Sequence, residues 1–308
     1  MRCCVTGASG HLGAALTRSL LAAGQEVIAV VRPSSDLWRL AGVENDVEVV
    51  RAVLAERERL AGCLCNLKID AVLHAAWGGV TAGDRNAAAQ IPDNVTDALS
   101  VVQAAADAGC GVFVGVGSQA EFGPYDVPLS EALPVRPQTA YGAAKLAAGL
   151  LTAKIAKSAG IRHSWLRLIA TYGPMDDERH LISAVTLQLL RGETPRLSPG
   201  GQLCDYLYVD DAADALRSVV ETADASGVFV LGSGQVHSVR DLCSRLRDLV
   251  DPSAPMEFGA VPYRPDQVMC MQANISRLHE STGWSPVVGI DEGLERTVDY
   301  YRDRERSS

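Results

Sequence analysis

Residues 2–31 read RCCVTGASGHLGAALTRSLLAAGQEVIAVV, and the order of parts within them decides the fold. An apolar run, CCV at 3–5, breaks into Thr6, Gly7, Ala8, Ser9, Gly10, His11, Leu12 and Gly13. A Leu/Ala-rich stretch follows, and then a second apolar run, EVIAVV at 26–31. Strand, glycine turn, helix and strand in that order make one βαβ unit of a parallel sheet. The GxxGxxG spacing falls between the strand and the helix. Glycines there permit a tight turn and close approach of a pyrophosphate, and the helix N-terminus offers free N–H groups and a favourable dipole. The motif predicts a dinucleotide site built on Gly7, Ser9, Gly10, His11, Leu12 and Gly13.

The same rhythm continues outward. Apolar runs alternate with Ala/Leu-rich stretches: DAVLHAAW at 70–77, a long helical stretch ending near Ala108, VFVGVGS at 112–118, HSWLRL at 163–168 and GVFVLGS at 227–233. This predicts an α/β fold, a Rossmann-type doubly wound parallel sheet. Past TYGP at 171–174 the chain turns to more Arg, Pro and Gly and shorter elements. We expect a dinucleotide-binding domain over 1–174, rejoined by 205–234. A smaller C-terminal substrate-binding lobe from 175–204 and 235–308 would close over the carboxyl ends of the strands.

Composition narrows the partners. A formal charge of −9 argues against a nucleic-acid or anionic-membrane surface. The apolar runs are strand-sized rather than membrane-spanning, and the N-terminus breaks into glycines before a signal-peptide core forms, so a cytoplasmic location is expected. Eight scattered cysteines lack CxxC spacing, which predicts reduced thiols and no metal site.

Two further stretches carry chemistry. Where the second strand ends, an acidic residue would bind the ribose hydroxyls of NAD, but this chain has Arg32, then Pro33, Ser34 and Ser35. A guanidinium suits the 2′-phosphate of NADP, and the two serines can add hydrogen bonds. In QTAYGAAK at 138–145, Tyr141 and Lys145 stand four apart and share a helix face. A cation beside a phenol favours phenolate and moves its pKa towards use at neutral pH.

With GSQAEFG at 117–123 supplying Ser118, the chain resembles the extended short-chain dehydrogenase/reductase family, especially its nucleotide-sugar epimerases, dehydratases and ketoreductases. The resemblance spans nearly all 308 residues and includes HAAW at 74, NVTDALSVVQAA at 94, DYLYVDD at 205 and RPDQ at 264. It implies that Tyr141 is the proton donor or acceptor at a substrate oxygen. Ser118 would hydrogen-bond that oxygen, and Lys145 would bind the nicotinamide ribose and lower the tyrosine's pKa. It also implies cofactor contacts at Ala75, Ala76 and Asn94. Substrate contacts would come from Ser118, Gln119, His180 and Arg264, and a homodimer would form through helices at 95–108 and 141–156.

Departures from the family pattern narrow the reaction. Dehydratases of this type carry an acid directly after the catalytic Ser or Thr, where this chain has Gln119 and Ala120. Glu121 comes one residue late, and in an extended segment that shift turns a side chain away. Members that epimerise C3 or C5 place a cysteine near Ala120, and His180 alone lacks that partner. Simple hydride transfer remains. Arg32 favours NADPH-dependent reduction of a nucleotide-linked 4-keto-6-deoxysugar. The alternatives are a C4 epimerase holding NAD(H) and a non-catalytic NADP(H)-sensing protein. Ala170, Cys204 and Val53 replace residues usual in the family, which loosens the link to any one nucleotide.

Overall fold

Five residues, Arg2–Thr6, buried from Cys3 onward as in a strand covered on both faces, form β1, and the glycine turn leads at once into α1 (His11–Ala22) and β2 (Glu26–Val31). The chain continues as β3 (Val47–Arg51), α2 (Arg57–Asn66), β4 (Ala71–His74), α3 (Asn94–Asp107), β5 (Val112–Ser118), α4 (Ala140–Ser158) and β6 (Arg162–Leu168). Four two-residue strands follow, β7 (Thr171–Tyr172), β8 (Arg196–Leu197), β9 (Leu203–Cys204) and β10 (Leu207–Tyr208), with α5 (Leu181–Leu190) between β7 and β8. Then α6 (Val209–Glu221) returns the chain to the main sheet as β11 (Gly227–Leu231). This computed structural model describes residues 1–80, 82–264 and 267–307.

The main sheet has seven strands in the order β11-β6-β5-β4-β1-β2-β3, all pairings parallel. From β1 the chain winds outward to β2 and β3, then crosses back to β4 and winds the other way. The reversal lies between β1 and β4, where Thr6 faces His74 in register. Ligands of such sheets bind in the crevice at that point, outside the carboxyl ends of the strands.

Both faces are covered, as a parallel sheet requires. Cys3 and Val5 of β1 pack with Leu16 and Leu20 of α1 and Leu216 and Val219 of α6. Cys4, between them in sequence, points the other way and packs with Leu60 and Leu64 of α2 and Val101 and Val102 of α3. A separate apolar cluster joins α5 to α7 (Val239–Val250) and α8 (Ile290–Ser307) through Ile182, Leu189, Leu242, Leu246, Leu294 and Val298.

Candidate active site

The glycine loop is built for close approach. Gly7 has φ +73°, and a Cβ there would lie 2.8 Å from the backbone of Ala76 at the end of β4. A Cβ on Gly13 would lie 2.1 Å from the Gly7 carbonyl oxygen, so only glycine lets α1 start this near the turn. Gly10 sits at the N-cap of α1 and supplies no side-chain cap, leaving the first-turn N–H groups directed at the crevice. This cradle fits a pyrophosphate by its own geometry. Ser9, His11 and Leu12 line the same turn, half-buried. Ala75 and Ala76 form its opposite wall, and Asn94 at the start of α3 is buried and clamps Gly78, accepting from its N–H at 2.7 Å.

At the end of β2, Arg32 and Ser34 are exposed and Ser35 is half-buried. The loop they form is held from below by Arg51, whose guanidinium donates to the carbonyls of Arg32, Pro33 and Ser35 at 3.4, 2.8 and 3.0 Å. Arg51 spends itself on backbone oxygens, so the outward cation on this loop is Arg32.

The catalytic candidates converge at the carboxyl end of β5. Ser118 is its last residue and is 6% exposed. Its hydroxyl accepts from the Ala120 N–H at 3.2 Å, which leaves its own O–H to donate, and the side chain stands close enough to the Tyr141 phenol to lower its pKa. Thr139 caps α4 by accepting from Gly142 N at 3.1 Å, so Tyr141 enters in the first turn of the helix. One turn on, Lys145 is 4% exposed, and its ammonium donates to the Val116 carbonyl at 2.6 Å while standing 3.8 Å over the Trp77 ring. Trp77 in turn meets Tyr141 edge-on, with ring centroids 6.1 Å apart.

The electrostatics differ from the sequence expectation. Burial raises the Tyr141 pKa above its ordinary value, and the groups that lower it are Ser118 and Arg85 rather than Lys145. Shared helix face explains proximity of the two side chains, but the long lysine stem carries its charge to Val116 and Trp77. Burial also depresses Lys145 to about 7, against a smaller raising effect of Glu121. The folded chain therefore binds fewer protons than the unfolded one from about pH 7 up to the ordinary lysine range, and stability rises with pH across that window. We expect Lys145→Met to lower the slope of unfolding free energy against pH, relative to the wild type, between about pH 7 and pH 8, where the buried thiols act equally on both proteins. Urea titrations at the two pH values test this, and an unchanged slope in the variant contradicts it.

Glu121 is fully buried beneath Ser118. One carboxylate oxygen accepts from Ser118 N and Trp165 Nε1, both at 2.9 Å, and the other takes Arg167 Nε at 2.7 Å. Arg167 is itself only 7% exposed, so this is a buried ion pair that fixes the strand end carrying Ser118. With its oxygens committed in this way, Glu121 is no proton donor to substrate, and Gln119 and Ala120 are not acids. Sequence reading placed Glu121 off the elimination position but missed its pairing. The signal available was an acid and an arginine, both in apolar surroundings at the ends of adjacent strands.

Other predicted residues lie farther out. His180 caps α5 without a side-chain bond to it, and its Nδ1 lies 2.9 Å from Asp176, which also meets His11 Nδ1 at 3.2 Å. Asp176 thus ties the glycine loop to α5, and its side-chain hydrogen bond raises the His180 pKa. Gln119 is buried beside Ser118. Arg264 is exposed, and Pro265 and Asp266 of its RPDQ motif are outside the described residues.

Comparison with known proteins bears on the family and the fold. The model of the NAD dependent epimerase/dehydratase family matches residues 3–232. A UDP-glucose 4-epimerase of Mycolicibacterium smegmatis is 29% identical over 314 residues, covering 99% of each chain. Among solved structures, the dTDP-glucose 4,6-dehydratase DesIV of Streptomyces venezuelae, with NAD bound, superimposes with a TM-score of 0.89 at 26% identity, covering 100% of this chain and 98% of its own. The UDP-glucose 4-epimerase of Thermotoga maritima gives 0.90 at 24% identity, with 99% and 100% covered, which speaks to the fold.

Proposed function

The chain belongs to the NAD dependent epimerase/dehydratase family, and from that premise we propose that it inverts C4 of a nucleotide-linked hexose by removing and returning a hydride. The observation that carries the reading is Glu121. Its carboxylate is locked to Ser118 N–H, Trp165 and Arg167, so the hydride-transfer set Ser118, Tyr141 and Lys145 is present while the acid that follows Ser118 is committed and does not serve the elimination of water. A bound nicotinamide dinucleotide supplies the hydride acceptor and donor. Tyr141 takes the C4 hydroxyl proton as the carbon becomes a ketone and gives it back on return, with Ser118 hydrogen-bonding the same oxygen. Gly7, Ser9, Gly10, His11, Leu12 and Gly13 would hold the pyrophosphate, Ala75, Ala76 and Asn94 the neighbouring wall, and Lys145 the nicotinamide ribose. Gln119, beside Ser118, and His180 and Arg264, from a smaller lobe at 175–204 and 235–308, are our candidates for substrate contacts.

Arg32 favours a second reading, NADPH-dependent reduction of a nucleotide-linked 4-keto-6-deoxysugar. It is the exposed cation at the end of β2, where a 2′-phosphate would lie, on a loop that Arg51 holds in place. We expect Arg32→Ala to weaken NADP(H) binding at least about tenfold while changing NAD(H) affinity little. Fluorescence titration of both cofactors checks this, and equal losses contradict it. Identifying the dinucleotide released on heat denaturation separates the two reactions. One NAD carried per chain favours epimerisation, whereas protein that is purified empty and prefers NADPH favours reduction.

We also propose that two chains pair through α3 and α4. Leu150 and Leu151 stand exposed on α4, and light scattering reports the mass. Among the described residues no helix is long and apolar enough to cross a membrane.

A further inference from the structure

Between β4 and α3 the chain forms two short turns, Ala82–Asp84 and Ala88–Gln90, and lies against the start of α4. Three groups hold it there. Gln90 is buried, accepts from Trp77 Nε1 at 3.1 Å and donates to the carbonyls of Gly79 and Asp84 at 2.5 and 3.1 Å. Asn86 accepts from Ala140 N at 3.1 Å, and the Arg85 carbonyl accepts from Tyr141 N at 2.8 Å.

The Arg85 side chain takes no part in this scaffolding. Its Nε is enclosed and has no hydrogen-bond partner among the described residues. An enclosed guanidinium nitrogen without an acceptor is costly unless something else supplies one. The guanidinium also lies close enough to Tyr141 for its charge to lower the phenol's pKa. A cation thus stands at the reacting end of the crevice, apart from the glycine loop that suits the pyrophosphate.

We propose that Arg85 determines substrate specificity by pairing with a carboxylate on the reacting sugar, so that the preferred substrate is a nucleotide-linked uronic acid. This rests on the nucleotide-sugar reading above and narrows it. The pairing is non-covalent. A planar guanidinium fork matches a carboxylate in two parallel hydrogen bonds, and a neutral hydroxymethyl group at the same carbon offers one oxygen and no charge. The Arg85 carbonyl accepts from Tyr141 N at 2.8 Å, which holds the arginine's backbone beside that of the residue that handles C4.

The test uses full-length protein loaded with NAD and measures binding of UDP-glucuronic acid and UDP-glucose by calorimetry, in the wild type and in Arg85→Gln and Arg85→Lys. The wild type is expected to prefer the uronate by roughly 10- to 100-fold. Arg85→Gln should bring that ratio close to one, and Arg85→Lys should restore part of it through charge without the fork. Wild-type protein that binds UDP-glucose at least as well as the uronate overturns this inference and leaves the nucleotide-sugar reading standing. A uronate preference that survives in Arg85→Gln also overturns it, by assigning the carboxylate to another residue. Protein that binds neither UDP sugar overturns this inference, and protein that also fails to bind dTDP-glucose overturns the nucleotide-sugar reading with it.

Discussion

Tyr141→Phe is expected to lower kcat about 10³-fold while leaving cofactor affinity close to that of the wild type. The substitution removes one oxygen from a residue whose ring is held edge-on by Trp77 and whose backbone is fixed by the Thr139 cap and the Arg85 carbonyl, so the helix start survives it. What disappears is the proton carrier. A hydride leaving or reaching C4 leaves charge on oxygen, and Ser118 alone can hydrogen-bond that oxygen but not neutralise it. Burial raises the Tyr141 pKa, which suits the half-reaction in which the phenol donates to the C4 oxygen, and Ser118 and Arg85, which lower it, favour the phenolate that the first half-reaction needs. Single-turnover rates with cofactor binding measured in parallel check the prediction. A variant within about tenfold of wild type would assign the proton to another group.

Glu121→Gln is expected to cost about 3–5 kcal/mol in unfolding free energy, the range for leaving one partner of a buried ion pair uncompensated. The glutamine keeps the shape, so the loss reports charge and not cavity. Arg167 at 7% exposure cannot reach water for solvation in place of the carboxylate. Activity should fall as well, because Ser118 N–H and Trp165 lose a charged acceptor at the strand end that aims Ser118. The double variant Glu121→Gln, Arg167→Met removes both charges and should recover much of the stability without recovering the rate. Urea unfolding of the two variants settles the first part, and a single-variant cost below about 1 kcal/mol contradicts it.

The fold was readable because its deciding signals are local. Strand, GxxGxxG and helix lie within the first 22 residues, and apolar runs of the right length mark every strand of the main sheet from β4 onward. The position of Ser118 at a strand end, and of Tyr141 and Lys145 on one helix face, follows from the same local periodicities. Periodicity places Cβ atoms, however, and not the ends of long side chains. It therefore brought Lys145 to the site while giving the wrong partner for its ammonium, which meets Val116 and Trp77 instead of setting the tyrosine's pKa. The Glu121–Arg167 pair depends on β5 lying beside β6, a contact between residues 46 apart that no window of sequence contains. Arg85 sits in a stretch of Gly, Ala and polar residues with no repeating pattern, and its place beside Tyr141 comes from Gln90 and Asn86 anchoring the segment. Arg32 was legible as a residue, yet its consequence for the cofactor depends on a ligand and not on the chain alone.

The most direct test of the account is to follow deuterium. Full-length protein loaded with NAD is given UDP-glucose or UDP-glucuronic acid carrying deuterium at C4, and turnover is stopped early for mass analysis of both cofactor and sugar. The account predicts deuterium on the nicotinamide ring during turnover and its return to C4 of the inverted sugar, with no hydrogen drawn from solvent at that carbon. Label that never reaches the cofactor, or that exchanges with solvent, would contradict hydride transfer at C4 as the reaction of this site.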